Sequence, residues 1–264
     1  MTVLVAVPYW RTPELVERTV RSVLAQTYTD LACVVIGDGE APPLSIRDDR
    51  LIVHTYPVNR GAYFAQDVAI WASPFEWYAP VAADDWIDPD HIERLLAYGR
   101  DTCSGGVRLH NEHYCLDAAH LRCSGTPVPA GFADGARKAY EVGIYRTSSY
   151  HRIGAHNPNE RLGQDSLTLR VMRIVGRVEV SDHMTYNRLG RQGSLCTDPA
   201  TDVRSPARKA MRLRNRDIVA RCLKLRTPER IKAYRESLVP AEVRDALAVE
   251  VDGLRAKVGQ AVAA

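Results

Sequence analysis

Over its first hundred residues the chain alternates short apolar runs with stretches whose apolar positions recur at helical spacing, and few folds accept that order. Residues 2–7 (TVLVAV) form a run rich in β-branched side chains, as in a parallel strand covered on both faces. Pro8 ends it. Leu15, Val16, Val20, Val23 and Leu24 then recur at helical spacing, so residues 13–26 read as an amphipathic helix. Residues 31–36 (LACVVI) make a second buried strand closed by Gly37-Asp38-Gly39, residues 51–55 a third, and 62–72 a helix. Residues 77–82 (WYAPVA) make a fourth strand, although Pro80 sits inside it. A helix is expected over 89–98, with Asp88 as its N-cap and Pro89 in the first turn. Strands alternating with helices call for a parallel, doubly wound sheet with right-handed crossovers. Such sheets bind ligands beyond the carboxyl ends of their strands. Three of those ends carry Pro8-Tyr9-Trp10, Gly37-Asp38-Gly39 and Ala83-Asp84-Asp85.

The pattern weakens between residues 101 and 140, where Gly, Pro, His and Cys accumulate. Order returns at 142–145, with a helix expected near 164–175 and a strand near 177–181. Residues 205–236 and 241–257 read as C-terminal helices separated by Pro240, giving a main domain over 1–200 and a helical extension over 201–264. The extension is basic. From Arg204 to Arg235 there are twelve Lys or Arg against two acids, Asp217 and Glu229, while the remainder is acidic on balance. A docked helix with its charges in water accounts for this. So does a surface for a polyanion: an anionic membrane, a nucleic acid or a phosphorylated polymer.

No apolar run approaches the roughly 20 residues that cross a bilayer. The opening MTVLVAVPYW lacks the basic start and cleavage site of a secretory signal, so the expected location is the cytoplasm, or the periphery of a membrane. Free thiols are the matching expectation for the six cysteines. His113, Cys115, His120 and Cys123 could ligate zinc, but their spacing matches none of the usual paired-cysteine patterns, and incidental loop residues are the plainer reading.

Asp84 and Asp85 are adjacent carboxylates at a strand end, and they repel unless a cation or hydrogen-bond donors compensate them. A hard divalent cation takes one or two carboxylates and fills its shell with waters and substrate phosphates. A solvated helix start would also tolerate the pair. The wider context favours the cation. VLVAVPYW, then LVERTVRSVLAQTYTDLACVVIGDG, then VAADDWIDPDHIERLL together resemble family 2 glycosyltransferases. The likeness continues through IYRTSSYHRIGAHNPNERLGQDSLTLRVMRIVG and MTYNRLGRQGSL, in order, over roughly residues 2–196.

The resemblance implies an α/β protein of the GT-A fold: a mostly parallel twisted sheet flanked by helices, in two abutting βαβ halves. It also implies an inverting transferase that moves a hexose or N-acetylhexosamine from a nucleotide-sugar, most simply a UDP-sugar, to an acceptor hydroxyl. Carried onto this sequence, Pro8 and Trp10 would bind the donor, with Trp10 stacking on its base, and Asp38 would accept from the uracil imide. Asp84 would contact ribose or sugar, and Asp85 would hold Mn²⁺ or Mg²⁺ on the diphosphate. Asp165 would be the general base that takes the acceptor's proton. The acceptor itself is left open among a glycan, a lipid-linked molecule, a natural product and a modified nucleic acid.

The chain departs from the family pattern at several of these positions. Gly37 and Glu40 replace members of the Asp-Asp-Gly-Ser turn, and Ala82 replaces the first metal-motif acid. Gln66-Asp67 stands where Arg-Asn is usual, so Arg60 is the stand-in for a phosphate-facing Arg. Gln164 replaces a Glu, and Arg191 occupies a position often held by a metal-touching His. Arg188 and Arg191 would then clamp the diphosphate, and His183 is a further candidate metal ligand. The alternatives are an inactive nucleotide- or glycan-binding module, which the lost acids would fit, and a nucleotidyltransferase, which would need a Gly-rich basic loop that PYWRTPE lacks.

Overall fold

A computed structural model of the chain describes residues 2–99, 104–110, 112–115, 141–191 and 193–263, with only the backbone described for 113–115. The strands are β1 (Val3–Tyr9), β2 (Leu31–Asp38), β3 (Leu51–Tyr56), β4 (Trp77–Pro80), β5 (Trp86–Ile87), β6 (Gly106–Leu109), β7 (His113–Cys115), β8 (Gly143–Arg146), β9 (Val178–Ser181) and β10 (Tyr186–Leu189). The helices are α1 (Pro13–Leu24), α2 (Ala62–Ala72), α3 (His91–Gly99), α4 (Thr147–Ile153), α5 (Gln164–Val175), α6 (Pro206–Leu225), α7 (Pro228–Ser237) and α8 (Ala241–Ala263).

Over these residues the main sheet runs in the order β3-β2-β1-β4-β8-β6-β9, and β5, β10 and β7 form a small second sheet. Strands β3, β2, β1 and β4 are parallel, as the alternation requires. The other side is mixed. β8 runs antiparallel to both β4 and β6, and β9 pairs parallel with β6. That pairing brings the backbones close: Gly143, at φ +153°, faces the Val107 carbonyl so tightly that a Cβ would lie 2.1 Å from it.

β1 and β2 are buried on both faces, which is why they read as unbroken apolar runs rather than as an alternation. Leu4, Ala6, Ala32, Val34 and Ile36 pack with Phe64, Val68, Leu167 and Met172 on one side. Val3, Val5, Val7, Leu31, Cys33 and Val35 pack with Val16, Val20, Ile92 and Leu95 on the other. Each Val, Leu, Ile, Phe or Met among them contributes about 1.5–3 kcal/mol relative to exposure. The segment after residue 200 shares the first of these cores through Ile218, Ile231, Val251, Leu254 and Val258.

Local details differ from the sequence reading. The carboxylate of Asp88 does not cap the helix that follows. It accepts from Asn187 Nδ2 at 2.8 Å, and α3 begins only at His91. The basic segment is two helices rather than one, because the chain turns at Arg226, with φ +64°, and restarts on Pro228. β4 stops at Pro80, two residues early. Helix α5 occupies the expected residues. His120 and Cys123, with the side chains of His113 and Cys115, lie outside the described residues, so the zinc reading does too.

Candidate active site

Parallel pairing of β1, β2 and β4 brings their carboxyl ends together, and with them the three sequence clusters noted at strand ends. At the end of β1, Trp10 is 39% exposed with the Arg11 guanidinium 4.6 Å from its ring centre. Pro8 sits in the strand opposite Ile36. At the end of β2, Asp38 is buried and its carboxylate gathers the β3–α2 loop. Oδ1 accepts from Arg60 N at 2.6 Å, and Oδ2 from Gly61 N at 2.8 Å and Asn59 Nδ2 at 2.9 Å. Gly39, at φ +96°, allows this approach, since a Cβ there would meet Asn59 N at 2.7 Å. The Arg60 guanidinium lies over Phe64, 5.2 Å from the ring centre. Arg161 reaches the same loop from the second half, donating to Asn59 Oδ1 at 2.5 Å and Asn59 O at 2.9 Å.

Beyond β4 the two aspartates do different work. Helix α1 fixes their turn: Thr19 Oγ1 donates to Asp85 O at 2.6 Å and Ala83 O at 3.0 Å, and Arg18 Nη2 to Asp84 O at 2.8 Å. Asp85 is 1% exposed, and both its oxygens are committed, one to Tyr186 OH at 2.7 Å and one to Leu189 N at 2.8 Å. Burial raises its pKa to about 7; Arg188, 3.8 Å away, and the two hydrogen bonds pull downward, while Asp84 pushes upward. Arg188 spends its fork on buried Glu112, at 2.6 and 3.1 Å. Asp84 is the more open of the two. One oxygen accepts from Arg191 Nε at 2.7 Å, and its side chain keeps 18% of its surface. His183 lies in the turn between β9 and β10, its backbone N–H on Ser181 Oγ at 3.3 Å. Among the described residues no group of three or more His, Cys, Asp or Glu stands together as a ready metal site.

Asp165 opens α5 just after Gly163, a glycine in the left-handed region at φ +67°. It is half-buried and accepts from Ser166 N at 2.7 Å. Burial raises its pKa and Glu141 adds to that, opposed by the Ser166 N–H, Tyr63 and Arg208. A carboxylate held more basic than usual suits proton abstraction. Beside it lies a charged network that the sequence reading did not foresee. His156 is fully buried, with Nδ1 on Asp67 Oδ1 at 2.7 Å and Nε2 on Glu141 Oε2 at 2.9 Å. Tyr150 donates to Glu141, and the Tyr63 ring packs 5.3 Å from the imidazole. Burial alone would lower the imidazole pKa, but the two carboxylates outweigh it and raise it to about 10. Asp67 and His156 are 89 positions apart in sequence, which is why no local pattern announces them.

The structure thus brings Pro8, Trp10, Asp38, Arg60, Asp84, Asp85, Arg188 and Arg191 to one edge of the sheet. Asp165 comes from the second half. Comparisons with known proteins bear on the same region. Residues 4–117 match the model of glycosyl transferase family 2. No curated protein sequence matches the chain. Among solved structures, S. aureus TarS residues 1–349 in complex with UDP-GlcNAc is similar at a TM-score of 0.55 and 15% identity, over 97% of this chain and 90% of that one. The longer S. aureus TarS structure matches at 0.55 and 16%, and there the alignment spans only 37% of TarS. The mannosyltransferase PcManGT from Pyrobaculum calidifontis, in complex with GDP-Man and Mn²⁺, is similar at 0.53 and 13%, over 99% of this chain and 86% of that one. At these identities the structures share the fold with this chain. They give it the GT-A fold, and residues 4–117 are similar to glycosyl transferase family 2.

Proposed function

We propose that the chain transfers a hexose or N-acetylhexosamine from a UDP-sugar to an acceptor hydroxyl with inversion at the anomeric carbon. The observation that carries this reading is the division of the site. An aromatic and three aspartates converge on the sheet edge where a donor would lie, and a more basic, half-buried carboxylate approaches from the opposite half. The UDP-GlcNAc and GDP-Man complexes of the structural neighbours support a nucleotide-sugar as the donor.

In this reading Trp10 offers its open face to the base, and Asp38, with both oxygens engaged, anchors the Asn59–Gly61 loop at the neighbouring strand end. Arg60, Arg161 and Arg191, which lie on or against the loops at this edge, would be cations for the diphosphate. A divalent cation fits the residues present if it arrives with the donor, because Asp84 has an oxygen with no hydrogen bond from the described residues while both Asp85 oxygens are taken. Asp84 would then hold the ion directly, and Asp85 would keep the turn and β10 in place around it. When bound, Mn²⁺ or Mg²⁺ would neutralise charge on the diphosphate. Asp165 removes the acceptor hydroxyl proton as that oxygen bonds to the anomeric carbon. The bond from that carbon to the diphosphate oxygen breaks, and UDP leaves with the electron pair.

Thermal unfolding with a panel of nucleotide-sugars, with and without Mn²⁺ or Mg²⁺, tests the reading. A true donor at about 100 times its dissociation constant should stabilise by about 2.7 kcal/mol. No stabilisation by any nucleotide or nucleotide-sugar would sink it.

A further inference from the structure

Helix α6 (Pro206–Leu225) turns one stripe to the core: Met211, Asn215, Ile218 and Cys222. The opposite face is open and carries two kinds of residue. Lys209, Arg216 and Lys224 lie around Leu213 and Leu223, which are 48% and 56% exposed. Among the described residues Lys209 and Lys224 have no acidic partner, and Arg216 has only its neighbour Asp217 at 3.6 Å, both in solvent. The preceding segment is tied to the same helix. Arg208 donates to Leu195 O at 3.2 Å and Arg212 to Val203 O at 2.5 Å, and the Leu195 and Val203 side chains are themselves 49% and 38% exposed.

We infer that this face docks on the surface of an anionic lipid bilayer. Unpaired cations explain attraction to any polyanion. Large exposed apolar side chains set among them have no use on a soluble polyanion, but they enter the headgroup region of a membrane. No described helix is long and apolar enough to cross a membrane, and the contact inferred for this face is with the bilayer surface. The inner stripe shows what docking would do. Asn215 Nδ2 donates to Gly163 O at 2.9 Å, Met211 packs on Gly163, and Arg214 pairs with Glu160 at 2.5 Å. Helix α6 therefore grips the loop that leads into Asp165, and a membrane under its outer face borders the acceptor side. The docking stands apart from the proposed reaction; only the corollary that the acceptor is held at that membrane rests on it.

Flotation of the full chain with vesicles is the test. Binding is expected to equimolar phosphatidylcholine and phosphatidylglycerol and not to phosphatidylcholine alone. K209Q/R216Q/K224Q should weaken partition on the order of 100-fold. L213S/L223S should weaken it on the order of tenfold or more, leaving a residue that added salt removes. Both variants should keep the parent's melting temperature and UDP affinity, which separates this result from failure of the proposed reaction. No flotation with the anionic vesicles at low salt would overturn the inference. So would parent-like binding by either variant, or equal sensitivity of vesicle and duplex-DNA binding to the cations with none to the leucines.

Discussion

Replacing His156 by Phe removes the imidazole that bridges two buried carboxylates while keeping a ring of similar size among Tyr63 and Tyr150. The parent imidazole bonds both Asp67 and Glu141 within 3.0 Å and has no exposed surface. Phe leaves Asp67 and Glu141 facing each other's charge without a donor from the ring. Breaking a buried pair by deleting one partner costs about 3–5 kcal/mol, a large part of the roughly 5–15 kcal/mol that holds a domain together. Urea unfolding at neutral pH should show that loss as a lower midpoint with an unchanged slope. Adding Asp67→Asn and Glu141→Gln to His156→Phe should recover part of it, because the repelling charges go. The pH dependence carries the sign. The imidazole titrates near 6.5 unfolded and at about 10 folded, so its contribution is full below about 6.5 and is lost as pH rises through about 10. The parent's stability should therefore fall across that window more steeply than the variant's. A penalty under about 1 kcal/mol with parallel pH profiles would show that His156 is not held as an imidazolium between two carboxylates.

Asp165→Asn should lower transfer by about 10²–10⁴ while donor affinity stays at the parent value, read by comparing turnover with calorimetry. Asp84→Asn should remove the effect of Mn²⁺ on UDP affinity and leave the melting temperature unchanged. Asp85→Asn should lower both the melting temperature and UDP affinity, because the buried carboxylate ties Tyr186 and Leu189 to the turn. Gly143→Ala should be severely destabilising in thermal unfolding, since its Cβ meets the Val107 carbonyl and its φ is one that L-residues rarely adopt.

The parallel half of the sheet was legible because β1 and β2 are covered on both faces and so leave unbroken apolar runs. The edge where strand ends gather followed from that topology, and the candidate residues Trp10, Asp38, Asp84 and Asp85 from the motifs at three strand ends. The antiparallel β8 was not legible as such: four residues beginning with Gly143 show no alternation, and direction depends on which neighbour they meet. Asp88 looked like a cap because Asp-Pro is a common helix start, but Asn187, 99 positions away, claims its carboxylate. The difference between Asp84 and Asp85 was equally hidden, since it arises from Tyr186, Leu189 and Arg191, all on or just after β10. Asp67 was visible only as an unusual residue beside Gln66. Its partner His156 and the second carboxylate of Glu141 come from other parts of the chain, and long-range charge pairing leaves no periodicity to read.

Calorimetric titration of UDP in the presence of Mn²⁺, run on the parent and on Trp10→Ala and Asp84→Ala, tests most directly whether this sheet edge is a nucleotide-sugar site. The two residues follow different strands, so a shared effect locates the ligand between them. Saturable one-to-one binding by the parent is expected, with loss of base stacking in Trp10→Ala weakening it by about 1–3 kcal/mol and Asp84→Ala abolishing its response to Mn²⁺. Absence of UDP binding by the parent, or parent-like binding by both variants, would contradict it.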